Sequence, residues 1–243
     1  MSHHGLVFSC EHGGRDVPPA HAMRFAGAEA EAVLASHRGW DPGALLLARE
    51  MASAFGAPLF AATTTRLLID LNRSPGHRQL FSEFTRGLPR TERAAIVAAH
   101  YRPHRSQVEG DIASRIARSE AVTHIASHSF TPVLNGVVRQ CDVAWLYDPR
   151  RAHEAALARR WMRGLAQRAP LLRLRRNYPY QGRGDGLASL LRKRFIGVAY
   201  LGIELEVNQR FAEAGGAAWS ALRADLIASL HTALNTGLDS PAA

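Results

Sequence analysis

Two histidines stand where apolar segments end, and their imidazoles are suited to holding a metal ion. His12 follows the apolar run at 6–10 and precedes two glycines, while His128 follows the apolar segment at 123–127. If both segments are strands of one sheet, both imidazoles project from the same edge. Zinc hydrolases typically use three His, Asp or Glu ligands and leave a position for water. The alternative for His12 is a structural histidine, hydrogen-bonded within the glycine turn.

Asp41 is a carboxylate candidate for the third ligand, but its local pattern has another explanation. It precedes Pro42 and an apolar helical pattern at 43–55. Aspartate is a preferred N-cap residue, and proline is favoured at the first position of a helix. Considered alone, the residues around Asp41 therefore favour a helix cap.

Polar residues in the segment TRLLIDLNR are suited to binding a substrate carboxylate. Arginine binds carboxylates through paired hydrogen bonds, so we expect Arg73 to grip the substrate while Asp70 and Asn72 hold the loop. A structural ion pair between Arg66 and Asp70 explains the same pattern equally well. Arg139 is a further candidate clamp with the same alternative.

Two glutamates occupy alternate positions in the apolar segment at 197–207. If this segment is a strand, Glu204 and Glu206 face the same side. Burying carboxylates without partners is costly, so the pair either faces solvent on an edge strand or is compensated by a metal ion and arginines. Beside a metal ion, one of them would be the general base of amide hydrolysis.

The glycine-rich segment at 176–186, which includes Tyr180, is predicted to form a lid or a substrate wall. A surface Ω-loop without a catalytic part is the alternative. His100 and His104 have the spacing of residues on one helix face, but Pro103 between them interrupts a helix. We interpret them as a helix-start turn near the pocket rather than as metal ligands.

The composition argues against several other functions. The formal net charge is +9, but Lys193 is the only lysine and the arginines are spread along predicted helices, which disfavours nucleic acid as a partner. No GxSxG motif occurs, and no GxGxxG or P-loop motif follows a predicted strand, which argues against serine hydrolases and nucleotide-dependent enzymes. Cys10 and Cys141 are expected to be small buried hydrophobes. No apolar run approaches the roughly 20 residues of a membrane span and no signal peptide is visible, so we expect a cytoplasmic protein with no membrane partner.

Alternating strand and helix patterns predict one domain over residues 1–243, with a frayed tail at 235–243. Strands are predicted at 6–10, 58–62, 67–69, 123–127, 142–146, 171–174 and 197–207, and helices at 43–55, 90–99, 108–116, 151–167, 187–194 and 219–234. The first helix is expected to bury Leu46, Ala48, Met51 and Phe55. The alternation indicates an α/β fold, a three-layer α/β/α sandwich around a mixed, largely parallel sheet.

Taken in order, the segments SCEHGG, WDPGALLLA, TRLLIDLNR, HSF with a following GVVR, NYPYQG and IELEVNQ resemble the N-formylglutamate amidohydrolase family. The resemblance extends over about 5–211 and implies a zinc-peptidase-like sandwich. Zinc carboxypeptidases and zinc N-acetylmuramoyl amidases, the broader relatives, hold their metal with a histidine after the first strand, an acidic residue and a later strand-end histidine. By this resemblance, His12, Asp41 and His128 would hold zinc or another divalent ion, and Glu206, which matches better than Glu204, would be the base.

The resemblance also implies a small acidic N-acyl amino acid as substrate, similar to N-formyl-L-glutamate, an intermediate of histidine degradation. The candidate substrate-binding residues are Arg66, Asn72, Arg73, Arg139 and Tyr180. Family members often carry a proline before the first histidine, whereas this chain has Glu11, which leaves open whether Glu11 is also a ligand. The alternatives are a zinc amidase for a peptide-like or cell-wall amide and a basic binding protein without a metal. The oligomeric state is not predicted.

Overall fold

Eight strands and eight α-helices are formed by residues 5–236, the part of the chain that the computed structural model describes. The strands are β1 (Gly5–Cys10), β2 (Leu59–Ala61), β3 (Val122–Phe130), β4 (Val133–Leu134), β5 (Val137–Val138), β6 (Val143–Leu146), β7 (Leu174–Arg176) and β8 (Tyr200–Asn208). The helices are α1 (Ala28–Ala35), α2 (Ala44–Phe55), α3 (Arg90–Ile96), α4 (Arg102–Ala117), α5 (Ala152–Arg168), α6 (Leu187–Arg194), α7 (Arg210–Ala214) and α8 (Gly216–Asn235). Because α8 includes Asn235, the predicted tail begins too early, and its last residues, 237–243, lie outside the described part.

Six of these strands form one sheet in the order β2-β1-β3-β8-β6-β7. Neighbouring strands are parallel except β6 and β8, which are antiparallel, while β4 and β5 form a separate hairpin. The prediction of a mixed, largely parallel sheet is therefore confirmed. Because β1, β3 and β8 run in the same direction, their carboxyl ends meet at one edge, and ligand sites of such sheets form there.

Helices cover both faces of the sheet. On one face α2, α5 and α8 enclose a core that includes Phe8, Ile125 and Ile203. On the other face α4 and α6 pack against Val7 and Val122. Successive side chains of a strand point to opposite faces, which is why the neighbours Val7 and Phe8 belong to different cores. The molecule is thus the predicted three-layer α/β/α sandwich.

One predicted strand is wrong and another is displaced along the chain. The apolar residues at 67–69 form a turn, in which the Leu68 N–H donates to the Thr65 carbonyl, and they fill a satellite core with Leu80 and Ile96. The run at 171–174 joins the sheet only at its last residue. Leu171 is 94% exposed, and Leu174 is the first residue that pairs with β6. Hydrophobicity alone does not distinguish a buried turn from a strand.

The buried face of α2 differs in part from the prediction. Ala48 and Met51 are buried as expected and Phe55 is half-buried, but Leu46 is 44% exposed and Leu47 takes its place in the core. Cys10 and Cys141 are buried, as predicted, and neither is in a disulfide. Among residues 5–236, no helix is long and apolar enough to cross a membrane.

Pro103 does not interrupt the helix, contrary to the prediction. A π-helical turn at Val97–Tyr101 joins α3 directly to α4, and Pro103 lies in the first turn of α4. A proline lacks the backbone N–H that an interior helical residue donates, and the wider π-helical turn accommodates this loss. As a result α4 continues, and His104 is a buried helical residue rather than part of a helix-start turn.

Candidate active site

Three predicted metal ligands come together at the carboxyl edge of the sheet. His12 lies just past β1, Asp41 lies in the loop before α2, and His128 lies near the end of β3. All three side chains are buried, and one donor atom from each lies within 4.8 Å of the others. Parallel pairing of β1 with β3 places the two histidine segments side by side. The group therefore has the composition and spacing of a metal site.

Each of the two histidines has a carboxylate at Nε2, on the side of the ring away from Asp41. Nε2 of His12 lies 2.7 Å from Oδ1 of Asp70, and Nε2 of His128 lies 3.1 Å from Oε2 of Glu11. The Nδ1 atoms face Asp41 instead, with His12 and His128 at 3.4 and 3.0 Å from its Oδ2. Metal-bound histidines commonly donate their other ring N–H to a carboxylate, and Nε2 of His12 is hydrogen-bonded to Asp70 in this arrangement.

The side chain of Asp41 does not cap α2, so that alternative is wrong. Gly43 precedes the helix, no side-chain cap is formed, and the first helical N–H, of Ala44, donates to the backbone carbonyl of Asp41. The Asp41 N–H donates to the His12 carbonyl, which ties the two segments together. Burial alone would raise the pKa of Asp41, but His12 and the other positive groups around it lower the pKa below its usual range. The carboxylate is therefore ionised and available as a ligand.

Arg66 connects two of these carboxylates. One guanidinium nitrogen lies 2.7 Å from Oδ2 of Asp70, and another lies 3.4 Å from Oδ1 of Asp41. The ion pair with Asp70, left open by the sequence, is therefore present. Because Asp70 also contacts His12, Arg66 is linked to the candidate metal site as well as lining the cavity.

Glu204 and Glu206 extend to the same side of β8, as the alternation predicted. Both are buried and line the cavity, and Glu206 is paired in register with His128 on β3. Burial raises the pKa of both carboxyl groups, that of Glu206 to about 8, and Oε2 of Glu206 has no hydrogen-bond partner. A buried carboxyl group that binds protons near neutral pH has the property expected of a general base or acid.

Two loops form the opening of the cavity and are tied to each other. Oδ1 of Asn72 accepts a hydrogen bond from the Leu187 N–H at 2.7 Å, and Arg73 donates to the Asp185 carbonyl at 3.1 Å. The Ser74 N–H donates to the Asp185 carboxylate at 3.0 Å. The predicted lid segment at 176–186 is thus fastened to the segment that carries Arg73.

Arg139 does not lie where a substrate clamp was expected. It is buried outside the cavity lining, with its guanidinium 5.2 Å from the ring centre of Tyr180 and 5.8 Å from that of Phe130. It donates a hydrogen bond of 3.3 Å to the Tyr180 hydroxyl. The structure therefore places Tyr180 on the cavity wall and Arg139 behind it as a support.

The cavity has a volume of about 260 Å³. Its lining includes every predicted metal ligand, both glutamates and four predicted substrate-binding residues, namely His12, Asp41, His128, Glu204, Glu206, Arg66, Asn72, Arg73 and Tyr180. Sequence reasoning missed His37 and Gln209, which also line it. Burial and nearby arginines lower the pKa of His37, so its imidazole is neutral at pH 7. The Gln209 amide donates to Ser129, and its place directly after β8 was the available signal.

Comparisons with known proteins agree with this geometry. The sequence profile of the N-formylglutamate amidohydrolase family matches residues 4–211, a range that contains all of the cavity residues. A solved gene product of Agrobacterium tumefaciens is 29% identical, with a TM-score of 0.81 over 97% of this chain and 92% of that one. The N-formylglutamate amidohydrolase of Ralstonia eutropha JMP134 is 18% identical, with a TM-score of 0.72 over 98% of this chain and 96% of that one. No curated protein sequence matches the chain significantly.

The two solved structures share the fold of this chain over nearly its whole length. The family profile covers far more than half of the chain and includes the histidine, aspartate and glutamate positions at the carboxyl edge of the sheet. The chain belongs to the N-formylglutamate amidohydrolase family.

Proposed function

We propose that the chain is a single-domain, zinc-dependent amidohydrolase that cleaves a small N-acylated acidic amino acid, such as N-formyl-L-glutamate. The products are the free amino acid and a carboxylate such as formate. Membership of the family supports the reaction class. The single observation that carries the metal dependence is the convergence of His12, Asp41 and His128 around one point, with donor atoms within 4.8 Å of one another.

The residues present fit a zinc ion. Two imidazole nitrogens and one carboxylate oxygen are a donor set that zinc accepts, with a position left for substrate and water. Nδ1 of His12 is buried without a hydrogen-bond partner, which is costly unless something binds it. A divalent ion held there would supply Lewis-acid chemistry, lowering the pKa of a water molecule and polarising the amide carbonyl.

Glu206 is the proposed general base. Its carboxylate takes a proton from the attacking water and then delivers that proton to the departing amine nitrogen, so that the proton count balances. Burial raises the pKa of Glu206 to about 8. The positive charge of a bound ion would lower this pKa and so favour the ionised carboxylate that a base requires. Glu204, on the same side of β8, is the second catalytic candidate and lies beside Asn72.

The substrate side of the cavity supports recognition of an acidic amino acid. Arg66 is held closely by Asp41 and Asp70. Arg73 is about one third exposed, and within residues 5–236 its guanidinium has polar contacts only with Asp70, at 4.0 Å, and the Asp185 carbonyl, so it is the cation better placed to bind a substrate carboxylate. Asn72, Tyr180 and the other polar lining groups supply hydrogen-bond donors and acceptors. A volume of about 260 Å³ favours a small molecule, because pockets for drug-sized ligands are typically about 300–1,000 Å³. The cavity size thus favours this substrate class over a peptide-like or cell-wall amide.

A substrate panel tests the proposal. N-formyl, N-acetyl and N-succinyl derivatives of glutamate would be incubated with the purified protein, with N-formylglutamine as the match whose side chain is uncharged, and the released amine would be measured. We expect N-formyl-L-glutamate to give the highest kcat/KM. A preference for muramoyl peptides would favour the cell-wall alternative, and absence of turnover together with absence of bound metal would favour a non-catalytic binding protein.

A further inference from the structure

Glu11 is a fully buried carboxylate that none of the steps above uses. It directly precedes His12, but it contacts two other histidines. Its Oε2 lies 3.1 Å from Nε2 of His128, and its Oε1 lies 3.5 Å from Nε2 of His104. Within residues 5–236 these two histidines are its only ion-pair partners. A buried carboxylate is costly unless it has compensating partners, and the partners of Glu11 are these two imidazoles.

The position of Glu11 argues against its being a metal ligand. It contacts the Nε2 side of the His128 ring, whereas Asp41 contacts the Nδ1 side at 3.0 Å. The donor group that converges on one point contains Asp41 and both ligand histidines but does not include Glu11. An ion bound to Nδ1 of His128 would therefore have the imidazole ring between itself and Glu11.

The same relationship occurs at the other histidine ligand, where Asp70 contacts Nε2 of His12 at 2.7 Å. Both rings thus have a carboxylate at Nε2 and turn Nδ1 toward Asp41. A carboxylate at the outer nitrogen fixes the protonated position and the orientation of a metal-binding imidazole, and it makes the inner nitrogen a stronger donor.

We propose that Glu11 is a positioning residue of the metal site, which holds the N–H at Nε2 of His128 so that the ring presents Nδ1 to the ion. His104, in turn, holds the other oxygen of Glu11. The inference rests on the proposed metal site, since it assigns a role relative to that site. It answers the question that the sequence left open, because Glu11 supports a ligand without being one.

The path of the chain explains how His104 reaches this position. The π-helical turn before Pro103 lets α4 continue from α3, and the continued helix packs against the sheet through Val108 and Ile112. His104 lies one turn earlier on the same side of α4 as Val108, which directs it toward Glu11 at the end of β1. The contact between Nε2 of His128 and Oε2 of Glu11 is close but poorly aligned for a hydrogen bond.

The test compares zinc affinity in three proteins, by competition with a chromophoric chelator at one pH. Glu11→Gln keeps the shape of the side chain and removes its charge, and we expect it to weaken zinc binding by about 10- to 100-fold. Tyr200→Phe is the matched control. It deletes a buried hydroxyl that lies 2.8 Å from Nδ1 of His124, and His124 is on β3, the strand that carries His128. We expect the control to stay within about threefold of the unmodified protein, because the deleted hydroxyl contacts neither a converging donor nor Glu11 and so is not an outer partner of a ligand.

The inference would be overturned if Glu11→Gln bound zinc with an affinity within threefold of the unmodified protein. It would also be overturned if both variants lost zinc affinity equally. If the unmodified protein binds no zinc, the proposed function fails, which is a different result. A second measurement needs no variant. In zinc-loaded protein with 15N-labelled histidine, we expect His128 to show a metal-bound Nδ1 and a protonated Nε2 protected from exchange with water. A metal-bound Nε2 of His128 would contradict the role of Glu11.

Discussion

Glu206 on β8 and His128 on β3 occupy paired positions of adjacent parallel strands. On the neighbouring strand at the other edge of β8, the residue paired with Glu206 is Ala144 of β6, which is small. The sheet itself therefore places a buried carboxylate beside a candidate metal ligand, and no loop has to bring them together. Groups placed by strands are held more precisely than groups placed by loops.

If Glu206 is the base and not a ligand, its substitution should stop turnover without removing the metal. Glu206→Gln should retain zinc, because the side chain is not one of the converging donors, and should lower kcat by about 10²- to 10⁴-fold through loss of the base. Metal content and kcat measured on the same preparation check this. If Glu204→Gln shows this behaviour and Glu206→Gln does not, the two glutamates have been assigned in the wrong order.

Removal of His128 should abolish metal binding. His128→Ala leaves two of the three converging donors and deletes the partner of Glu11, so we expect substoichiometric zinc after gel filtration. His153→Ala, at an exposed position on α5, is the matched control and should keep its zinc. Stoichiometric zinc in His128→Ala would remove this residue from the ligand set.

Arg73 is predicted to recognise the side-chain carboxylate of the substrate. A charge-assisted hydrogen bond contributes about 1.5–3 kcal/mol, so Arg73→Ala should raise KM for N-formyl-L-glutamate by about 10- to 100-fold. The effect on N-formylglutamine should be much smaller, because that substrate lacks the side-chain charge. Arg78→Ala, in the same loop but exposed, serves as the control. Equal effects of Arg73→Ala on both substrates would contradict this assignment.

His124 predicts a loss of stability in mild acid. It is fully buried between the Ser9 and Tyr200 hydroxyls, each at 2.8 Å, and burial lowers its pKa to about 4. The unfolded chain, with a histidine pKa of about 6.5, binds more protons between these values, so stability falls as the pH is lowered through this window. The histidine should account for about 2 kcal/mol of lost unfolding free energy between pH 7 and pH 5.

Urea unfolding of the metal-free protein at both pH values measures this loss. His124→Gln should show a pH dependence smaller by about that amount, whereas His231→Gln, at an exposed histidine on α8, should match the unmodified protein. An unchanged pH dependence in His124→Gln would show that His124 is not the group responsible.

Periodicity and strand-end position were sufficient to predict a mixed, largely parallel sheet and to pair His12 with His128. Parallel strands bring their carboxyl ends together, so residues at those ends meet whatever their separation in sequence. Alternation likewise placed Glu204 and Glu206 on one side of β8. These inferences needed only local pattern and a general rule of α/β architecture.

Other features depended on contacts that no local pattern records. An aspartate-proline pair has the same local pattern in a helix cap and in a candidate metal ligand. The two are distinguished by the contacts of the Asp41 side chain with His12 and His128. Asp70 reaches His12 because 67–69 form a turn rather than a strand. His104 reaches Glu11 only because α4 continues past Pro103.

Zinc stoichiometry coupled to activity tests the central claim most directly. Protein purified without chelators would be analysed for metals, assayed on N-formyl-L-glutamate, stripped with a chelator, and assayed again before and after addition of zinc. We predict about one zinc per chain, as one converging donor group implies, with turnover that disappears on stripping and returns on reconstitution. A fully folded, metal-free protein whose turnover and stability are indifferent to zinc would contradict the account.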